Sequence, residues 1–126
     1  MNLIPSEVSA GQIMLDGMAL AAPSGIRDGG VTVAIRPEDF ALLPSLQKGG
    51  LRAVIEQISD LGHYRRALLE AGRLGTLKIY LPKTVTADEG AEVFIYARRY
   101  LVYQDGNPPF EVTQPLPHEA MSVEDS

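Results

Sequence analysis

The amino-acid sequence predicts an all-β protein, a barrel or sandwich built from two similar β units. Apolar and polar residues alternate through 31–36, 76–81 and 91–96, which is the pattern of half-buried strands. Glycine-rich turn signals, such as those at 28–30 and 48–50, separate these runs at short spacing. Helical periodicity is scarce, so short antiparallel strands are expected to form one core.

The first unit is expected to span residues 1–47. Val31, Val33 and Ile35 share one strand face, and a single helical turn should follow the proline of Arg36-Pro37. The strands expected in this unit cover 2–9, 11–15, 18–22, 31–36 and 39–43.

The second unit is expected to span residues 50–105. Val93 and Ile95 share one face of their strand, whereas Phe94 and Tyr96 occupy the other. Another single turn is expected around residues 82–84. The strands expected in this unit cover 51–58, 63–70, 76–81, 92–97 and 100–104.

The two units resemble each other in sequence. Residues 30–35 match residues 90–95, which follow 60 positions later, and at the same offset Phe40 matches Tyr100. We therefore expect one core made from two similar units. Residues 106–126 have a different, proline-rich and acidic composition, and we expect them to form a flexible tail.

Composition excludes several classes of site. The 126 residues contain no cysteine and two histidines, so we expect no catalytic, cofactor or metal site. No phosphate-binding loop of the type G-x-x-x-x-G-K-S/T occurs, and the chain is not expected to be an enzyme. The net charge of −5 argues against nucleic acid as a partner. No signal peptide or membrane-spanning run is expected.

The strand end at Arg36, Glu38 and Asp39 is the first candidate contact site. Proline at position 37 fixes the backbone, which holds the charged groups in a set arrangement. Arginine forms paired hydrogen bonds with carboxylates, so we expect Arg36 to tie the strand end to a neighbouring loop. Glu38 and Asp39 are then the residues expected to face a partner.

Residues His63, Tyr64, Arg65 and Arg66 form the second candidate site. A continuous strand would place Tyr64 and Arg66 on one face and His63 and Arg65 on the other. Such a cluster suits a small anion or an acidic partner surface. A solvated edge strand, in which the charges oppose aggregation, is an equal alternative.

The aromatic residues Phe94 and Tyr96 are candidates for self-association. If Val93 and Ile95 fill the core, these two rings are left near solvent, and exposed aromatic patches often mark contact surfaces. The alternative is that a loop, such as 39–50, covers both rings. The basic pair Arg98-Arg99 is expected to form a surface bend rather than a nucleic-acid contact.

Four segments together resemble the TOBE domain (transport-associated OB fold). Residues 33–39 contain Arg-Pro-Glu, as in the family's G-I-R-P-E signature, and residues 2–8 resemble its N-x-x-P-G-x-V strand, with Ser6 in place of glycine. Residues 52–62 and 82–90 resemble two later elements in the same order. The resemblance covers residues 2–105 and implies an OB-like domain over residues 1–105.

The resemblance implies a C-terminal domain of an ABC-importer ATP-binding protein of the maltose or polyamine type. Its partners would be an upstream ATPase domain, a second ATPase subunit, the membrane subunits, and a regulatory protein or small ligand. Mg-ATP would bind only the ATPase domain, and the location would be cytoplasmic, at the inner face of the membrane. The leading interpretation is a regulatory, dimer-stabilising domain. The alternatives are a small oxyanion- or ligand-binding module and an OB domain for single-stranded nucleic acid.

Overall fold

A computed structural model describes residues 1–15, 17–47, 49–82, 85–117 and Ala120. This described part is all-β, as predicted, and contains no helix long and apolar enough to cross a membrane. Its strands are β1 (Asn2–Ser9), β2 (Gln12–Leu15), β3 (Met18–Ala21), β4 (Gly29–Ile35), β5 (Phe40–Leu43), β6 (Leu51–Asp60), β7 (Arg65–Glu70), β8 (Thr76–Leu81), β9 (Glu92–Ala97), β10 (Arg99–Tyr103) and β11 (Phe110–Thr113). Two short 3₁₀ turns, Pro37–Asp39 and Gly72–Leu74, also lie in these ranges.

The strands form two curled antiparallel sheets over the described residues. Sheet I has the order β11-β10-β4-β1-β2-β3, and sheet II has the order β5-β9-β6-β7-β8. Alternate residues of both sheets point inward, and Ile13, Val33, Ile55, Leu69 and Ile79 lie in one shared buried cluster. The curled sheets form a half-barrel, which agrees with the predicted OB-like fold.

The two halves of the chain exchange one strand each. From β9 onward, sheet II runs β9-β6-β7-β8, in the same way that sheet I runs β4-β1-β2-β3. The strand beside β4 is β10, and the strand beside β9 is β5, so each half supplies its last matching strand to the other sheet. The predicted resemblance between two β units is therefore present as topology, although neither unit completes its own sheet.

Asn2, the first residue of β1, joins sheet I to the edge strand β8 of sheet II. Its side-chain nitrogen donates to the carbonyl oxygen of Ile35 at 3.1 Å and of Lys78 at 2.8 Å. The backbone nitrogen of Lys78 donates to the side-chain oxygen of Asn2 at 2.8 Å. Since β8 is an edge of sheet II, this buried amide satisfies backbone groups that a free edge strand leaves unpaired.

The structure corrects several expected boundaries, of which two bear on the candidate sites. Strand β7 begins at Arg65, because residues 62–64 form a bend after β6, so the strand predicted over 63–70 starts two residues later. Strand β11 lies inside the segment 106–126 that was expected to be a flexible tail, and it pairs with β10 from Phe110↔Val102 to Thr113↔Arg99. The turn predicted around 82–84 falls partly outside the described residues.

Candidate functional site at the junction of the two sheets

The connection between β4 and β5 is a tight turn at the junction of the sheets. Proline at position 37 starts the 3₁₀ turn, and the backbone nitrogen of Asp39 donates to the carbonyl oxygen of Arg36 at 2.9 Å. The turn packs against β8 of sheet II. The sequence motif therefore places charged side chains where the two sheets meet.

Asp39 is a structural residue of this junction. Its side chain is 6% exposed and lies 3.9 Å from the Nε atom of Arg99, measured to Oδ1, and its carbonyl oxygen accepts a hydrogen bond from the backbone nitrogen of Arg98 at 2.9 Å. Burial raises the pKa of the Asp39 carboxyl, and the charge of Arg99 partly offsets this effect.

The structure corrects the partner-facing position that was expected for Asp39. Arg36 is exposed, whereas Asp39, which was expected to face a partner, is buried and ties the junction to β10. The reason is geometric: position 36 follows β4 on the strand face opposite to Val33 and Ile35, which lie in the core.

The charge of Glu38 acts on the aromatic residues of the second predicted motif. The rings of Tyr64 and Tyr80 stack with centroids 4.3 Å apart and planes inclined by 37°. A hydrogen bond with Tyr64 raises the pKa of Tyr80, and the negative charge of Glu38 raises it further, whereas the positive charge of Arg66 lowers it. We call Glu38, Tyr64, Arg66 and Tyr80 the tyrosine cluster; it combines residues from both predicted sites.

His63 and Arg65 have different surroundings from the tyrosine cluster. His63 is exposed in the bend before β7. The guanidinium group of Arg65 donates a hydrogen bond to the carbonyl oxygen of Val85, so Arg65 holds the connection between β8 and β9. The four predicted residues 63–66 are thus divided, with Tyr64 and Arg66 at the cluster and Arg65 in a structural contact.

A small cleft of about 90 Å³ lies beside the junction turn. Arg36, Arg99, Asp39 and Glu111 contribute its charged groups, and Ala34, Tyr100, Leu101 and Met1 contribute the rest. Two arginines and two carboxylates balance each other in formal charge. The cleft therefore lacks the excess positive charge that would favour an oxyanion.

The structure corrects the prediction that Phe94 and Tyr96 form an exposed aromatic pair. Tyr96 is buried at 8% exposure, and its hydroxyl donates to the carbonyl oxygen of Pro115 at 2.8 Å. Gly49 also lies against the Tyr96 ring, so the alternative of a covering loop over 39–50 holds for this residue. Phe94 is half-buried and lines an apolar groove of about 250 Å³ with Leu43.

Two residues that hydrogen-bond with Ala21 of β3 were not found by sequence reasoning. The side chain of Gln114 accepts from the backbone nitrogen of Ala21 at 3.1 Å and donates to the carbonyl oxygen of Ala97 at 2.7 Å. Tyr100 donates its hydroxyl to the carbonyl oxygen of Ala21, while its ring is fully buried. One signal for Gln114 was available in the sequence. It is a polar residue directly after residues 110–113, in which apolar and polar residues alternate.

Comparison with known protein families gives one match to this region. The sequence model of the family described as TOBE domain matches residues 33–99, which is more than half of the chain and includes the junction turn and the tyrosine cluster. No curated protein matches the chain significantly. Within the described residues, no group of three or more histidine, aspartate or glutamate side chains is arranged to hold a metal ion.

Proposed function

Because the chain belongs to the TOBE domain family, we propose that it is a non-catalytic regulatory and dimer-stabilising domain of an ABC transporter ATP-binding subunit. The transporter would import a solute, and the energy would come from an ATPase domain of the same polypeptide. Mg-ATP would bind that ATPase domain and not this chain. The further partners would be a second ATPase subunit and the membrane subunits, at the cytoplasmic face of the membrane.

The observation that carries the proposal is the family match across the junction between the sheets. The Arg-Pro-Glu turn holds the buried Asp39 inside the junction and leaves Glu38 half-buried, where its charge acts on Tyr80. A surface with a carboxylate, a guanidinium group and stacked phenol rings suits a regulatory protein or a small polar ligand.

The experiment that tests the proposal is to determine the complete reading frame that contains residues 1–126 and then to assay its product. We expect an upstream ATPase domain with a phosphate-binding loop. Removing residues 1–126 from that protein should weaken its dimer and alter its ATPase rate, while the ATP-binding residues stay intact. A reading frame without an ATPase domain would refute the proposal.

A small-ligand module is the second candidate, and the tyrosine cluster is the observation that favours it. Arg66 and the one phenol hydrogen that the Tyr64–Tyr80 hydrogen bond leaves over can donate to a small oxyanion, although Glu38 opposes a second negative charge there. Calorimetric titration with sulfate or molybdate tests this function. A heat of binding that disappears in Arg66→Ala but persists in Arg52→Ala would support the small-ligand function. Arg52→Ala is the control because Arg52 lies on β6, where it pairs with Glu92 of β9.

Binding of single-stranded nucleic acid has weaker support. The two clustered tyrosines stack on each other, so their shared faces are not free for bases. The net charge of −5 also opposes phosphate binding.

A further inference from the structure

The small cleft beside the junction turn has an apolar floor and a carboxylate at one side. Leu101 of β10 lies opposite Ala34 of β4 and also opposite Glu111 of β11, so the three residues form one row across three strands. Directly opposite residues of antiparallel strands point to the same side of a sheet. All three line the cleft, in which Ala34 and Leu101 form the floor and the exposed Glu111 stands on the edge strand.

Two arginines stand at the end of this row. Arg36 comes two positions after Ala34 and keeps an extended backbone. Arg99 comes two positions before Leu101, so both arginines lie one step along the same face of the sheet. Arg99 already has a partner, because its Nε atom lies 3.9 Å from Oδ1 of the buried Asp39. The exposed Arg36 is therefore the main cation that the cleft offers to a ligand.

The accessible charges of the cleft are thus a guanidinium group at its end and a carboxylate at its side. Within the described part of the chain, Arg36 and Glu111 form no ion pair, and both line the cleft. Two strand spacings of about 4.8 Å and one two-residue step of about 6.8 Å place their Cα atoms roughly 12 Å apart. The gap between the two charged groups is shorter, because both side chains reach the cleft. A ligand of a few atoms can therefore contact both groups at once.

A ligand that carries both charges fits this arrangement better than a simple ion does. Glu111 repels an anion at Arg36, and Arg36 repels a cation at Glu111. A zwitterion avoids both repulsions, because Arg36 can donate paired hydrogen bonds to its carboxylate while its ammonium group donates to Glu111. The cleft volume of about 90 Å³ is about three times the ~30 Å³ that one molecule of liquid water takes, which suits the head group of one amino acid.

We propose that this cleft binds the head group of a free α-amino acid with an apolar side chain. The carboxylate of the amino acid lies at Arg36, its ammonium group lies at Glu111, and its α-carbon lies over Leu101. The ligand's side chain then leaves the cleft beside Met1, which is 55% exposed. Contact with the apolar surfaces of Met1 and Leu101 favours an apolar side chain over a charged one.

The exposure of the two binding groups sets the strength of this interaction. Arg36 and Glu111 are both exposed to water, and exposed ion pairs contribute little free energy. We therefore expect a dissociation constant on the order of 1 mM. The inference goes beyond the proposed function, because binding needs only residues of this chain. It also concerns a different ligand and a different place from the oxyanion considered for the tyrosine cluster.

Titration of the isotope-labelled, full 126-residue chain with L-leucine, followed by two-dimensional NMR, tests the proposal. We expect saturable shifts of the backbone amide signals of Ala34, Leu101 and Glu111. Two matched compounds each lack one charge of L-leucine: isocaproate has no ammonium group, and isoamylamine has no carboxylate. Each compound loses one of the two charged contacts, so each should bind about tenfold more weakly than L-leucine, or weaker still.

Substitutions in the cleft identify the binding groups. Arg36→Gln and Glu111→Gln should each weaken L-leucine binding by about tenfold or more, and the amide spectrum of each variant establishes that the fold is retained. The matched controls are Arg52→Gln and Glu92→Gln, which make the same changes in an exposed ion pair of sheet II and should leave the affinity within about twofold.

Three results would overturn the inference. The first is the absence of amide shifts up to about 50 mM L-leucine, which is far above the expected dissociation constant. The second is binding of isocaproate or isoamylamine as tight as that of L-leucine. The third is L-leucine binding that Arg36→Gln and Glu111→Gln leave unchanged. Each of these results leaves the proposed function standing if the reading frame encodes an ATPase domain.

Discussion

At the scale of single residues, buried polar groups define the junction between the sheets. Asn2 and Asp39 are the buried polar residues of the described chain, and each connects elements that are distant in sequence. Asn2 bonds with backbone groups of β4 and β8, and Asp39 lies beside Arg99 of β10. Leaving such a group without its partner costs about 1–3 kcal/mol, so both positions constrain the geometry.

The buried carboxyl of Asp39 should make stability depend on pH. Burial raises the pKa of Asp39 above its ordinary value of 3.8, and Arg99 only partly offsets this. The folded chain then binds more protons at this group than the unfolded chain, so the contribution of Asp39 is greatest below pH 3.8 and is lost as pH rises through the folded-state pKa. As pH rises from 3.8 through the folded-state pKa, the unfolding free energy of the wild type should fall relative to that of Asp39→Asn.

Urea denaturation of both proteins at a series of pH values measures this difference. Arg99 attracts only the ionised carboxylate, so its effect is already contained in the folded-state pKa of Asp39, and the direction of the slope tests the prediction. An NMR titration of the Asp39 carboxyl gives the folded-state pKa independently. A wild type that gains stability relative to the variant as pH rises would contradict the expected shift.

At the scale of elements, β11 shows how a short edge strand completes a sheet. Phe110 and Val112 are half-buried against the core, and the residues that follow β11 continue its contacts. Gln114 bonds with Ala21 and Ala97, and the carbonyl oxygen of Pro115 accepts from Tyr96. The segment therefore fastens β3, at the far edge of sheet I, to the end of β9.

Truncation after residue 109 should destabilise the chain by about 3 kcal/mol or more, because it removes two partly buried hydrophobic side chains and several hydrogen bonds. Truncation after Pro117 is the matched control; it keeps all of these contacts and should change the unfolding free energy by less than about 0.5 kcal/mol. Urea denaturation measures both. Equal stability of the two truncated chains would show that β11 adds nothing to the fold.

At the scale of the whole molecule, strand exchange makes the two halves depend on each other. Sheet I needs β10 from the second half, and sheet II needs β5 from the first half. Each exchanged strand also contributes to the core, through Phe40 and Leu42 of β5 and through Tyr100 and Val102 of β10. Folding of either sheet therefore requires contacts between distant parts of the chain.

Fragments 1–47 and 48–126 should not fold as monomers when separate and should form the native sheets when mixed. The first fragment has β5 without its partner β9, and the second has β10 without its partner β4. Far-UV circular dichroism and two-dimensional NMR report the recovery of structure, and sedimentation velocity establishes the 1:1 complex. A folded, monomeric 1–47 fragment would contradict the interdependence of the halves.

The sequence by itself determined the all-β class, most strand positions and the similarity of the two units. These features follow from local period-two patterns and from turn residues, which act over a few neighbouring positions. The family resemblance carried by the Arg-Pro-Glu turn was also readable in the sequence, and the match over 33–99 confirms it.

Only the tertiary structure decided which residues meet across the chain. Sequence alternation gives the two faces of a strand but does not say what covers each face, so Tyr96 and Asp39 were expected outside and lie inside. Strand exchange, the Asn2 contacts and the tyrosine cluster all join residues far apart in sequence. Their positions depend on how the two sheets pack, and no local pattern encodes that packing.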